Sequence, residues 1–203
     1  MYFGCHVSVA GGLQNAPLNA AELGCEVFQF FSRSPQGGPA PKITPEMMEA
    51  FAANCQAGGF KEWVIHTPYY INFGSELENT RKNSARIVRE ELERASLLQA
   101  TYVMFHPGSA GKGDPEQAIT WVIEGIKKVY DGYSGSAKLL LEISAGAGAV
   151  IGDTFDEVAE ILDRIDHPEM GVCFDTAHAF ASGYDLRTEA TVNKTFTEFD
   201  KVV

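Results

Sequence analysis

The sequence contains few cysteines and no long apolar run, and both absences narrow the class of protein. Its four cysteines are scattered among 203 residues and form no C-x-x-C pair, so reduced thiols in a cytosolic protein are the expected state. No segment approaches the roughly 20 apolar residues of a membrane span. The N-terminal residues show no basic segment before an apolar core, so no signal peptide is predicted. We therefore expect a cytoplasmic protein with no membrane partner.

Positive charge is also scarce. The chain has 16 lysines and arginines against 27 aspartates and glutamates, which gives a formal net charge of −11. This balance argues against a nucleic-acid partner, because phosphate binding usually requires a basic face. Bound divalent cations would weaken that objection locally, since metal ions can be the largest charges in a site.

Common nucleotide and nucleophile motifs are missing. No G-x-G-x-x-G follows the first apolar run, and the glycine-rich stretch "GSAGKGD" lacks the spacing of a P-loop. No G-x-S-x-G nucleophile elbow is present. The sequence therefore predicts no nucleotide cofactor.

Six short apolar runs alternate with amphipathic segments along the chain. The runs read "MYFGCHVS", "EVFQFFS", "EWVIHT", "TYVMFH", "KLLLEIS" and "MGVCFDT". Such runs are typical of parallel strands covered by helices, and regular βα alternation allows either a doubly wound sheet or a TIM barrel. A full barrel has eight βα units and about 250 residues. The chain is thus predicted to be a single α/β domain over residues 1–203, either a fragment of a barrel or a fold that closes differently.

Several segments carry helix-start signals. Thr44-Pro45-Glu46 reads as an N-cap, a proline at the first helical position and an acid in the first turn. Three further pairs have capping-box spacing, namely Ser75 with Glu78, Asp114 with Gln117, and Thr154 with Glu157. Helices are predicted over residues 12–23, 45–57, from residue 85 onward, and near 191–201.

Histidines and carboxylates lie where the apolar runs end. These residues are His6, His66, His106, Glu142, Asp175 and, just beyond the last run, His178. A single strand-end histidine is often only structural, but the carboxyl ends of barrel strands converge on one face. Gathered there, such groups would repel or desolvate one another unless a cation lay between them. Mixed histidine and carboxylate ligands suit zinc, and also manganese or iron, so the pattern favours a metal site.

Longer strings around these residues resemble the endonuclease IV family. They read "GCHVSVAGGLQNAPLNAAELGC", "HTPYYINFGS", "FHPGSAGKG", "LLLEISAGAG" and "GVCFDTAHAFASGYDLRT", and they cover essentially the whole chain in the family's order. Members are zinc-dependent apurinic/apyrimidinic endonucleases built on a TIM barrel. The resemblance implies a DNA repair phosphodiesterase that is a monomer when full length and whose partner is double-stranded DNA with abasic sites.

The resemblance also implies roles for individual residues. His66, His106 and Glu142 look like the ligands of a first zinc ion, and Glu142 would bridge to a second ion that Asp175 also binds. His178 would hold a third ion. His6 would lie beside the cluster without being a ligand, and Tyr69 matches the family's DNA-inserting tyrosine. The implied reaction is hydrolysis of the phosphodiester 5′ to the abasic site by a metal-activated hydroxide, leaving a 3′-hydroxyl and a 5′-phosphomonoester.

Two features depart from the family pattern. The family's Arg-Gln-Trp-like loop after the second strand penetrates DNA, whereas this chain has Gln36, Gly37 and Gly38 there. The family also has two further βα units, which complete its second and third metal sites. We therefore expect a barrel truncated at its C-terminus, with fewer zinc ions than the three of a complete barrel and little or no activity of the isolated chain.

Two other functions remain compatible with the residues. A sugar isomerase or epimerase of the xylose isomerase-like barrel group shares the βα order and a metal held by carboxylates and histidines, and it would suit the acidic surface. A catalytically inactive fragment that still binds metal or DNA is the other alternative.

Overall fold

The chain forms six strands and seven α-helices, which alternate up to β6 and end with two successive helices, and a short 3-10 helix, Leu13–Asn15, precedes the first of them. The computed structural model describes all residues, Met1–Val203. The strands are β1 Gly4–His6, β2 Val27–Phe30, β3 Trp63–His66, β4 Tyr102–Phe105, β5 Lys138–Glu142 and β6 Met170–Cys173. The helices are α1 Ala16–Glu22, α2 Pro45–Gly58, α3 Glu78–Leu97, α4 Pro115–Tyr130, α5 Phe155–Ile165, α6 Thr176–Ala181 and α7 Glu189–Val202. All six predicted strands are present.

The strands form one sheet whose order follows the sequence, from β1 to β6. The pairs β1–β2, β2–β3 and β3–β4 are parallel, with His6 opposite Gln29 and His66 opposite Met104. The order leaves β1 and β6 at the two edges, and the residues of β1 are exposed. A parallel sheet with helices between successive strands confirms the predicted TIM-barrel-type α/β fold.

Contacts within the chain divide it into two compact units. The first comprises Met1–Tyr70, Val88–Met104 and Ser134–Leu139, and the second Ile71–Ile87, Phe105–Tyr133 and Leu140–Val203. The core of the first unit is rich in aromatic rings, with Phe28 stacked on Trp63 at a centroid distance of 6.0 Å. In the second unit, Phe155 stacks on Tyr184 at 3.8 Å. The single domain over residues 1–203 stays a prediction.

Helix starts follow the sequence signals only in part. Thr44 and Thr154 cap α2 and α5 by accepting from the backbone amides of Met47 and Glu157. Asp114 instead accepts from Glu116, so the predicted pairing with Gln117 is not the cap. The predicted helix near residues 191–201 begins earlier, at Glu189, because Thr188 forms its own capping box with Thr191.

None of the helices combines the length and the apolar character needed to cross a lipid bilayer.

Candidate metal centre

Each candidate ligand is placed by the end of a strand. His66 and Glu142 are the last residues of β3 and β5, and His106 follows the last residue of β4. Asp175 and His178 come from the connection after β6, where Asp175 is the N-cap of the six-residue helix α6. Since parallel strands share a carboxyl end, these five side chains collect at the carboxyl end of the sheet.

Helix α6 fixes the two ligands that follow β6. The Oδ1 of Asp175 accepts from the backbone amide of His178 at 2.8 Å, which is an N-cap bond three residues long. The same carboxylate approaches the His178 ring, with Oδ2 3.9 Å from Nδ1. His178 Nδ1 also lies 2.8 Å from the carbonyl oxygen of Ile143. A carbonyl only accepts, so this contact places the proton on Nδ1 and the lone pair on Nε2.

Glu142 occupies the middle of the site. Its side chain is 4% exposed, and Oε2 lies 3.1 Å from Nε2 of His106. Its other oxygen, Oε1, lies 3.6 Å from Nδ1 of His178. The rings of His106 and His178 are 5.4 Å apart between centroids. One buried carboxylate thus contacts two imidazoles through different oxygen atoms.

Two groups of side chains have the composition and spacing of a metal site. In each group, every residue offers one ligand atom, and these atoms lie within 4.8 Å of one another. The first group is His66, His106 and Glu142. The second group is Glu142, Asp175 and His178. Glu142 belongs to both. Imidazole nitrogens and carboxylate oxygens are the usual ligands of zinc, so the donor set fits the ion that the resemblance implies.

The electrostatics of Glu142 point the same way. Burial of the carboxyl, together with the negative charge of Asp175 and a hydrogen bond to it, raises the pKa of Glu142 to about 8. A buried carboxylate beside a second carboxylate is unfavourable as an anion unless a cation compensates it. Burial, then Glu142 and Asp175, also raise the pKa of the nearby Cys173 thiol to about 12. That thiol stays protonated and belongs to neither group of ligands.

Aromatic side chains surround His66. The ring of Phe31 lies 4.5 Å from His6, 5.2 Å from His66 and 5.4 Å from Tyr69, measured between centroids. Tyr69 is also 5.6 Å from His66, yet it is 67% exposed. Nδ1 of His66 lies 2.6 Å from the carbonyl oxygen of Thr67, which again places the lone pair of the ring on Nε2.

His6 has a different environment from the other strand-end histidines. Its Nδ1 lies 2.8 Å from Oε1 of Gln29 on the neighbouring strand, and the residue is in neither group of candidate ligands. Phe31 and Gln29 are the two residues of this region that the sequence analysis missed. Their position at the end of the second apolar run, "QFF", is the signal that could have identified them.

Comparison with known proteins places this geometry in a family. Residues 17–202 match a model described as xylose isomerase-like TIM barrel. The "Probable endonuclease 4" of Chlorobium phaeobacteroides is 38% identical over 203 residues, which cover 98% of this chain and 71% of that protein. The crystal structure of endonuclease IV from Thermus thermophilus superposes with a TM-score of 0.88 at 35% identity, covering 100% of this chain and 72% of that one.

More distant structures share the fold alone. A D-tagatose 3-epimerase-like protein matches with a TM-score of 0.70 at 21% identity, over 90% of this chain and 68% of that one. Sequence identity and coverage both favour the nearer relatives, and the chain belongs to the endonuclease IV family.

Proposed function

We propose that this chain is a zinc-dependent endodeoxyribonuclease that hydrolyses the phosphodiester 5′ to abasic sites in double-stranded DNA. One observation carries the proposal, namely that a single buried carboxylate, Glu142, is shared by two groups of histidine and carboxylate ligands. A carboxylate that belongs to both groups could hold two cations close together, which is the arrangement that two-metal phosphodiesterases use. The similarity to the "Probable endonuclease 4" of Chlorobium phaeobacteroides supports a nuclease.

Different side chains would bind different metal ions. His66, His106 and Glu142 would hold one ion, while Asp175 would share Glu142 for a second ion and His178 would hold a third. When bound, these ions would supply an activated water and neutralise charge on the phosphate oxygens. Glu142 and Asp175 would keep the cations at the carboxyl edge of the sheet, where the substrate phosphate would be oriented between them. The contacts of His66 and His178 with backbone carbonyls fix their ring orientation for this role.

Tyr69 would contact the DNA next to the lesion. Its ring packs edge-on against Phe31 and His66 while most of its surface stays exposed, so the side chain is held in place and accessible. Stacking of a base on an aromatic ring contributes about 1–3 kcal/mol. Tyr69 could therefore stack on a nucleotide that the abasic site leaves without a neighbour.

Recognition of the lesion should be weak compared with relatives that carry bulky residues after the second strand. Gly37 and Gly38 have no side chain to insert, and filling a disrupted stack normally offsets a few kcal/mol of unstacking. Binding to matched duplexes with and without one abasic site measures the preference. A strong preference that survives Tyr69→Ala would contradict this expectation.

A nicking assay tests the proposed function. The zinc-loaded chain is incubated with a duplex that carries one reduced abasic site, which cannot break by β-elimination, and with the intact duplex as control. We expect slow cleavage on the 5′ side of the site, with a 3′-hydroxyl on the upstream fragment, because the chain offers only two ligand groups for the three zinc ions of the family pattern. Absence of cleavage, absence of DNA binding, or cleavage on the 3′ side would overturn the proposal.

A further inference from the structure

One arginine of α3 binds both ends of the loop that joins β2 to α2. The guanidinium of Arg94 donates from Nη2 to the carbonyl oxygen of Ser32 at 2.6 Å and from Nη1 to the carbonyl oxygen of Pro41 at 2.8 Å. Its Nε donates to the hydroxyl of Ser32 at 2.6 Å. The side chain is only 11% exposed. A planar fork of donors thus closes the base of the loop over residues 33–40.

A buried ion network holds the first residues of this loop to the same helix. The hydroxyl of Ser32 donates to Oε2 of Glu91 at 2.5 Å, and Glu91 is completely buried. Arg33 donates from Nε to Glu91 and from Nη2 to Glu90, the latter at 2.9 Å. The start of the loop is therefore fixed by charged groups on α3, and buried pairs of this kind are costly to break.

The tip of the loop has a different character from its base. Gly37 and Gly38 have φ angles of 114° and 97°, and a Cβ at either position would meet no atom within 4 Å. The hydroxyl of Ser34 accepts from the amide of Gln36 at 3.3 Å and forms a local turn. The tip is thus an open stretch of accessible backbone that starts at the carboxyl end of β2, the end of barrel strands where substrates bind.

We propose that Arg94 is a positioning residue, which holds the β2–α2 loop so that its glycine backbone can contact the phosphodiester backbone of DNA. This inference rests on the proposed function. Backbone amides are common donors to phosphate oxygens. The amide of Gly37 already donates to the carbonyl oxygen of Ser34 at 3.3 Å, so the contact would come from the amide of Gly38, which has no side chain to shield it. A glycine-rich loop loses much conformational entropy when it is ordered. Because Arg94 already closes the base of the loop in the free protein, less conformational entropy is lost when the loop binds DNA.

The test compares Arg94→Lys with Arg89→Lys on the same helix. Lysine keeps the positive charge near Glu91 but cannot donate to the Ser32 and Pro41 carbonyls in one planar fork. Hydrogen exchange of the loop amides reports the clamp, and equilibrium binding to abasic and intact duplexes reports its use. For Arg94→Lys we expect faster exchange in the loop and DNA affinity lower by about tenfold, about the effect of one hydrogen bond to a charged group. Zinc content should be unchanged, and the Arg89→Lys control should match wild type.

Each other outcome has a defined meaning. Wild-type chain that binds neither duplex overturns the proposed function and this inference with it. Wild-type binding with unchanged exchange in Arg94→Lys shows that Arg94 is no clamp, and faster exchange with unchanged affinity shows that the loop does not contact DNA. If Arg94→Lys fails to fold, Gly37→Ala alters the loop without touching the network, and unchanged DNA affinity in that variant overturns the inference.

Discussion

Glu142 differs from the other candidate ligands because both groups depend on it. His66 and His106 each serve one group, as do Asp175 and His178, whereas Glu142 contributes to both. Its burial and the nearby Asp175 charge raise its pKa to about 8, so the carboxylate form depends on cations for compensation. Loss of this one side chain should therefore have the largest effect of any single substitution at the centre.

We expect Glu142→Gln to lower the zinc content of the chain and to lower its activity on abasic duplex by roughly a hundredfold or more. Loss of a residue that only hydrogen-bonds to a metal ligand already lowers metal affinity or activity by about 10–100-fold. Glutamine keeps the shape but not the charge. The matched control is His6→Gln, which changes a strand-end histidine outside both groups. Elemental analysis and nicking rates measure the two effects. Equal activity of Glu142→Gln and wild type at matched zinc content would contradict the shared role.

Burial of Cys55 makes the folding stability of the chain depend on pH, independently of the metal centre. Burial raises the pKa of this thiol to about 12 from its ordinary value of 9.0. The unfolded chain therefore releases the proton at lower pH than the folded chain does. The stabilisation from the protonated buried thiol is complete below about pH 9 and is lost as the pH rises from about 9 to about 12.

We expect wild type to lose stability above pH 9 more steeply than Cys55→Ala does. The difference in slope should be roughly 1.4 kcal/mol per pH unit, the free energy of one pKa unit. Urea unfolding of both proteins at several pH values between about 8 and 10.5 provides the measurement. Parallel stability curves would show that the thiol does not titrate as its burial implies.

At the scale of elements, strands were easier to predict from the sequence than short helices. The runs that became β3 and β4 are nearly continuous in apolar residues because both faces of such strands are covered. Helix α6 was not predicted, because "TAHAFA" is too short for a helical period to be visible. It depends on one cap, Asp175, which is also a candidate ligand. The type of the site residues was therefore readable from the sequence, whereas the geometry of Asp175 and His178 was not.

The ion network on α3 should contribute strongly to stability. Glu91 is fully buried and contacts Ser32, Arg33 and Arg94. Glu91→Gln would leave two arginines without their buried counter-charge, so we expect unfolding free energy to fall by about 3–5 kcal/mol. Glu93→Gln is the control, because Glu93 is 56% exposed and pairs with Arg89 at the surface; it should change stability by less than about 1 kcal/mol. Denaturant unfolding compares them, and equal losses would refute a special role of the buried pair.

For the whole molecule, the acidic composition has to be reconciled with a DNA substrate. The net charge of −11 provides no basic face of the usual kind. Cations bound at the carboxyl edge would supply the positive charge that the side chains lack. The sequence motifs indicated the family and the barrel type, but the division into two compact units has no signal in composition or linkers.

Metal removal should therefore affect stability and DNA binding together. We expect chelation to lower the melting temperature by roughly 5–10 °C, since a ligand at about 100 times its Kd stabilises by about 2.7 kcal/mol, and each kcal/mol shifts a chain of this size by about 2–4 °C. DNA affinity should fall in the same titration and recover when zinc is restored. Glu142→Gln should respond much less. DNA binding that persists after complete chelation would show that phosphate contacts come from the protein alone.

The order of the strands has a consequence for how the chain is made. Because β1 to β6 are neighbours in the order of the sequence, each strand can pair with the one translated just before it, so the sheet can grow from its N-terminal strand during synthesis. The candidate ligands do not share this locality. The first group is complete only when Glu142 has been translated, and the second only with His178. A nascent chain would thus build most of its scaffold while it is still unable to capture metal, and loading would follow translation.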